Sequence, residues 1–166
     1  MKKRILSFAL TLCFVFTPLP AAFADSETPN GVCGDNLTWV LANGVLTISG
    51  TGEMYDYDWG SAPWYEFKDE VTKLVIEQGA TSIGDQTFIG LTKLADVQLS
   101  GGIVSIGDEA FYSCESLKSV VIPEGTKSIG VSAFGMCSSL GSVTLPDSLT
   151  TIEVYAFVRC NLKSFT

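Results

Sequence analysis

Ile83, Ile106, Ile129 and Ile152 recur every 23 residues, and so do Phe88, Phe111, Phe134 and Phe157. Two further apolar columns, Leu74, Val97, Val120, Val143 and Ile76, Leu99, Ile122, Leu145, keep the same register. Four apolar columns sharing one period are hard to obtain by accident. A fixed period of roughly 20 to 50 residues marks a solenoid, because one unit cannot bury its apolar side alone and must stack on copies of itself. With rungs about 4.8 Å apart, the strand-pairing distance, like residues lie over like residues. The expected fold is therefore mainly β, a solenoid of about four 23-residue repeats over residues 73–166.

Within each unit, Leu117 to Ile122 reads as a short strand with Val120 and Ile122 inward, and Leu94 to Leu99 and Leu140 to Leu145 are its counterparts. Pro123 and Pro146 stop that strand. A second extended piece, Lys127-Ser128-Ile129, precedes a glycine column of Gly84, Gly107 and Gly130, which predicts a turn at positive φ. The Ala-Phe pair that follows drives a ring into the core.

The run Ser128-Ile129-Gly130 through Ala133-Phe134-Gly135-Met136-Cys137 resembles the BspA-like leucine-rich-repeat family, with its strand, Pro, Ser-Ile-Gly, Ala-Phe, two variable residues, Cys and Leu. The resemblance spans about Leu74 to Phe165 and implies a non-enzymatic, secreted or surface-exposed bacterial solenoid that binds other proteins, often in host adhesion. Both ends depart from the pattern. The first unit has Thr87 for Ala and Leu91 for Cys, and the last has Glu153 for Gly and one residue fewer between Cys160 and Leu162. Terminal repeats tend to be atypical in this way.

Ahead of the repeats, Leu37 to Leu41 and Val45 to Ser49 flank Ala42-Asn43-Gly44, and Asn-Gly between two β-rich runs is a strong hairpin signal. Residues 25–72 are read as a cap whose hairpin covers the open end of the first rung. The stretch Tyr55 to Phe67 is rich in aromatics, and Tyr55, Tyr57, Trp59 and Trp64 give a second reading as a sugar-stacking platform, against the plainer one that they seal the first repeat.

Met1-Lys2-Lys3-Arg4, an apolar run from Ile5 to Phe16 and Ala22-Phe23-Ala24 form the three regions of an export signal, with cleavage expected after Ala24. The apolar run falls well short of the roughly 20 residues that cross a bilayer. Without residues 1–24 the chain holds seven Lys and Arg against eighteen Asp and Glu, a balance of −11. A nucleic-acid backbone is repelled by that charge, and no basic run overrides it.

Cys114, Cys137 and Cys160 share the 23-residue period, so they belong to the repeat before they belong to any bridge. Stacked side chains point the same way and three cannot pair completely, so these thiols and Cys33 are expected to be reduced. The chain has no histidine, which excludes Ser-His and Cys-His nucleophile pairs and a His-based zinc site. Asp56, Asp58, Glu66, Asp69 and Glu70 cluster near aromatics, where a carboxylate pair could serve a glycosidase, but no motif places any two of them and solvated surface is the better reading. No glycine-spaced calcium loop surrounds Asp56 and Asp58. No catalytic residue, cofactor or metal ligand is expected.

Strand alternation turns the residues between the inward columns outward. Lys73, Val75, Asp96, Gln98, Ser119, Val121, Ser142 and Thr144 are the candidate partner-binding residues. The expected role is protein–protein interaction, with a host matrix or surface protein as the partner class. A carbohydrate-binding module and a structural spacer within a larger surface protein are the alternatives. Leu162 to Thr166 starts a strand and stops, which predicts continuation, partnering or self-association at that end.

Overall fold

The computed structural model describes residues 28–165, so the expected export signal and its cleavage point lie outside the described residues. The chain opens with three antiparallel strands, β1 (Asn30–Gly34), β2 (Leu37–Ala42) and β3 (Val45–Gly50). Asn43 (φ 51) and Gly44 (φ 77) form the two-residue turn between β2 and β3, both left-handed as the primed hairpin turns require. The short β4 (Gly52–Glu53) follows, then a 3-10 turn at Tyr65–Phe67.

The repeats proper supply two strands each: β5 (Lys73–Ile76) and β6 (Ala80–Ile83), β7 (Asp96–Leu99) and β8 (Ser105–Ile106), β9 (Ser119–Val121) and β10 (Ser128–Ile129), β11 (Ser142–Thr144) and β12 (Thr151–Ile152), and lastly β13 (Ser164–Phe165). The first strands pair in parallel with neighbours one period away, as Lys73 with Asp96 and Ser119 with Ser142, except that β7 and β9 do not pair. The second strands form a continuous side sheet in the order β12-β10-β8-β6-β4.

The hairpin does not lie across the array as a separate lid. Its second strand, β3, pairs in parallel with β5 from Val45↔Lys73 to Ile48↔Ile76, and β4 pairs with β6, so residues 45–72 already make one turn of the solenoid. Trp64 completes that turn by stacking on Phe88 at 5.4 Å, and the phenylalanine ladder continues through Phe111, Phe134 and Phe157 at 5.2, 5.0 and 5.4 Å. Trp39, edge-on to Trp64 at 5.8 Å and tilted against Phe67 at 6.4 Å, closes the ladder. The covering of the core thus comes from the first two strands and the Trp39 ring.

The glycine column has a different cause from the one expected. Gly84, Gly107 and Gly130 do not adopt positive φ. A Cβ on Gly107 would stand 2.7 Å from the backbone nitrogen of Asp85, and one on Gly130 would stand 2.7 Å from that of Asp108. The rungs approach too closely there for a side chain. Positive φ falls instead on two columns of mixed residue type: Gln86, Glu109, Ser132 and Tyr155, and Gly90, Ser113, Met136 and Arg159.

Two side-chain ladders hold the rungs together. The Oδ1 atoms of Asp56, Asp85 and Asp108 accept the backbone N–H of Asp85, Asp108 and Val131 at 2.8, 2.7 and 2.7 Å. The thiols of Cys114, Cys137 and Cys160 donate to the carbonyls of Phe88, Phe111 and Phe134 at 3.3, 3.2 and 3.1 Å. Leu91 stands in that column without a donor, and the Trp64 carbonyl accepts the N–H of Phe67 in the 3-10 turn.

Candidate functional site

The eight candidate residues fall into two register columns on the strand face. Lys73 and Asp96 pair across β5 and β7, and Ser119 and Ser142 across β9 and β11. Val75 and Gln98, and Val121 and Thr144, form the second column. The inward neighbours are packed as the alternation demands: Leu74, Ile76, Val120, Ile122 and Val143 are buried. The face is longer than the repeat pattern indicated, since Val75 lies beside Thr47 and Thr47 beside Val40. Those hairpin positions escape a 23-residue search because the offset from β3 to β5 is 28, as Val45↔Lys73 gives.

The face is largely small and uncharged. Lys73 and Asp96 form an ion pair at 2.8 Å, so its two charged candidates neutralise each other. Val121 is 63 % exposed. The strand sheet is also interrupted: β1-β2-β3-β5-β7 form one hydrogen-bonded sheet and β9-β11-β13 another.

The sugar-stacking reading loses two of its four residues. Trp64 is fully buried, stacked on Phe88, and its Nε1–H donates to the Thr87 carbonyl at 2.9 Å, so no ligand can reach its face. Tyr57 is half-buried edge-on to Trp64 at 5.8 Å, and burial pushes its hydroxyl up to about 12. Tyr55 is exposed, but its hydroxyl donates to Asp35 at 3.0 Å, a bond that raises its pKa. Trp59 is 58 % exposed and meets Tyr112 edge-on at 6.1 Å, a residue the aromatic run did not include.

Two of the acidic residues near these rings are occupied as ordinary surface groups. Asp56 caps the Asp85 N–H, and Asp69 pairs with Lys68 at 3.0 Å, a bond that lowers the Asp69 pKa. Burial raises Cys33 to about 12 and raises Cys114 as well, while its contact with the Cys160 thiol and burial raise Cys137. These three thiols stay protonated in the core, while contact with the Cys137 thiol lowers the half-buried Cys160. All four described cysteines are free.

The model of the BspA type leucine rich repeat region matches residues 62–166 in six copies. The chain belongs to that family. No curated protein matches it significantly. Among solved structures, this BspA-type repeat is similar to a leucine-rich repeat protein from Eubacterium ventriosum, at 29 % identity and a TM-score of 0.65 over 83 % of this chain and 43 % of that one. It is also similar to one from Bacteroides ovatus, at 36 % identity and a TM-score of 0.56 over 58 % and 25 % of the two chains. A leucine rich cell surface protein from Faecalibacterium prausnitzii aligns at 26 % identity and a TM-score of 0.52 over 82 % and 48 %. The chain therefore spans less than half the length of these relatives.

Proposed function

We propose that this BspA-type repeat is an exported, surface-associated protein whose strand face binds another protein, with a host matrix or surface protein as the partner class. The observation that carries the reading is the paired outward columns, in which Val40, Thr47, Val75 and Gln98 run in register and Val121 and Thr144 continue them beyond the break. Export rests on the leader pattern of residues 1–24, and surface residence is supported by the likeness to the Faecalibacterium prausnitzii cell surface protein.

Hot spots concentrate in Trp, Tyr and Arg anchors, and the candidate columns contain none. Affinity from this stretch alone is therefore weak, and strong attachment needs many rungs or many copies acting together. The test is a panel of immobilised extracellular-matrix proteins beside a glycan array, probed with the chain as a monomer and as a multivalent display. Binding to a matrix protein that strengthens at least about 100-fold on multimerisation supports the reading. Binding confined to glycans overturns it in favour of a platform at Trp59.

A further inference from the structure

We propose that the solenoid flexes at one built-in point, the junction between β7 and β9, so that its strand face consists of two plates whose mutual angle changes. Three observations meet there. The strand-face sheet ends at β7 and resumes at β9, whereas the side sheet runs unbroken through β6, β8 and β10. One backbone bond is missing from an otherwise regular column: Ala95 N–H reaches Thr72 and Gly141 N–H reaches Lys118, at 2.9 Å each, but among the described residues Lys118 N–H has no such bond to Ala95. Val97 and Leu99 are half-buried in the middle of the array, while their column neighbours Leu74, Ile76, Val120 and Ile122 are buried. An end effect does not explain exposure at a central rung.

The opposite side of the same junction is closed. Phe111 and Phe134 stack at 5.0 Å with an interplanar angle of 5°, and Ser105 and Ile106 pair with Ser128 and Ile129. On the strand side Ser116 N–H still reaches the Thr92 carbonyl at 3.2 Å ahead of the strands, but β7 and β9 themselves are unpaired, so the two rungs are held chiefly along the closed side and rotate about it. The hinge axis therefore lies between the two rungs, along the paired β8 and β10 beside the Phe111–Phe134 stack, and motion about it opens or closes the strand face. The loop after β7, Ser100-Gly101-Gly102, permits this more readily than Pro123-Glu124-Gly125, which occupies the same place after β9. The two plates are β2, β3, β5 and β7 on one side and β9, β11 and β13 on the other, and their angle sets the curvature offered to a partner.

The experiment is methyl relaxation dispersion and amide exchange by NMR on the chain without a ligand. Domain-scale hinge motion falls on the microsecond to millisecond scale. The expected result is dispersion at the Val97 and Leu99 methyls and none at Leu74 and Ile76, with the Lys118 amide exchanging at least about 10-fold faster than those of Ala95 and Gly141. Flat dispersion at Val97 and Leu99, or equal protection of the three amides, overturns the hinge. The measurement needs no partner, so the hinge and the proposed binding role stand or fall separately.

Discussion

Replacing Gly107 with alanine adds one methyl group at the closest approach between two rungs. Its Cβ would stand 2.7 Å from both the Asp85 nitrogen and the Gly84 carbonyl carbon. Carbon contacts relax near 3.5 Å, so the rungs must separate by about 0.8 Å, and neither backbone atom can rotate out of the way. The bond from Gly107 N–H to the Ile83 carbonyl, now 2.9 Å, would be lost with that separation. Overpacking costs about 1–3 kcal/mol and a lost backbone hydrogen bond about 1 kcal/mol, giving roughly 2–4 kcal/mol in all. At about 2–4 °C per kcal/mol for a chain of this size, Tm should fall by roughly 5–15 °C. Gly101→Ala is the control, because its added Cβ meets nothing within 4 Å and its φ is not positive, so it should be neutral or stabilising by up to about 1 kcal/mol. Circular-dichroism melts of the two variants make the comparison. If Gly107→Ala melts with the wild type, inter-rung approach is not what the glycine column serves.

Phe134→Ala should cost about 3–5 kcal/mol in urea unfolding, because its ring is buried and stacked on both sides, and Phe157→Ala, only partly buried, should cost less. Asp85 carries a carboxyl whose pKa is raised by burial and then by Asp56 and Asp108, so the folded state holds its proton more tightly and stability falls as pH rises through the carboxylate range. Asp85→Asn keeps the acceptor for Asp108 N–H and should flatten that fall, whereas Asp85→Ala should lose about 1 kcal/mol at neutral pH; a steeper pH dependence in the Asn variant would reverse the assignment. Alkylation of the folded protein should modify Cys160 before the buried Cys33, Cys114 and Cys137, and all four should label once it is unfolded, with mass spectrometry of a disulfide among the last three refuting the thiol ladder.

The parts of the fold legible in the sequence are those where the period fixes side-chain type. The Phe88 to Phe134 stack and the Ile83 to Ile129 column are buried ladders because every rung places the same group over the last. Features set by the backbone left no such mark. Gln86, Glu109, Ser132 and Tyr155 share a left-handed conformation but no chemistry, so the column reads as noise. The first turn hid because its offset is 28 at Val45↔Lys73 and because a tryptophan, Trp64, stands where the ladder elsewhere has phenylalanine. The outward columns of the candidate face followed from strand alternation alone, and all eight residues keep that register. The break between β7 and β9 could not be read in the same way, since the apolar columns pass through Val97 and Val120 without interruption.

The proposed binding surface is the strand face, and substitutions at its outward positions put that proposal to the test. Affinity for a matrix protein identified by the panel should be measured for the wild type, the double variant Val121→Lys with Thr144→Lys, and Trp59→Ala with Tyr112→Ala. The lysine pair adds charge to outward positions beside the buried Val120 and Val143 without entering the core. On that proposal the lysine pair weakens binding at least about 10-fold, the equivalent of 1.4 kcal/mol, while the aromatic pair leaves it unchanged. Unchanged affinity in the lysine pair together with a loss in the aromatic pair would move the site to Trp59 and contradict the claim.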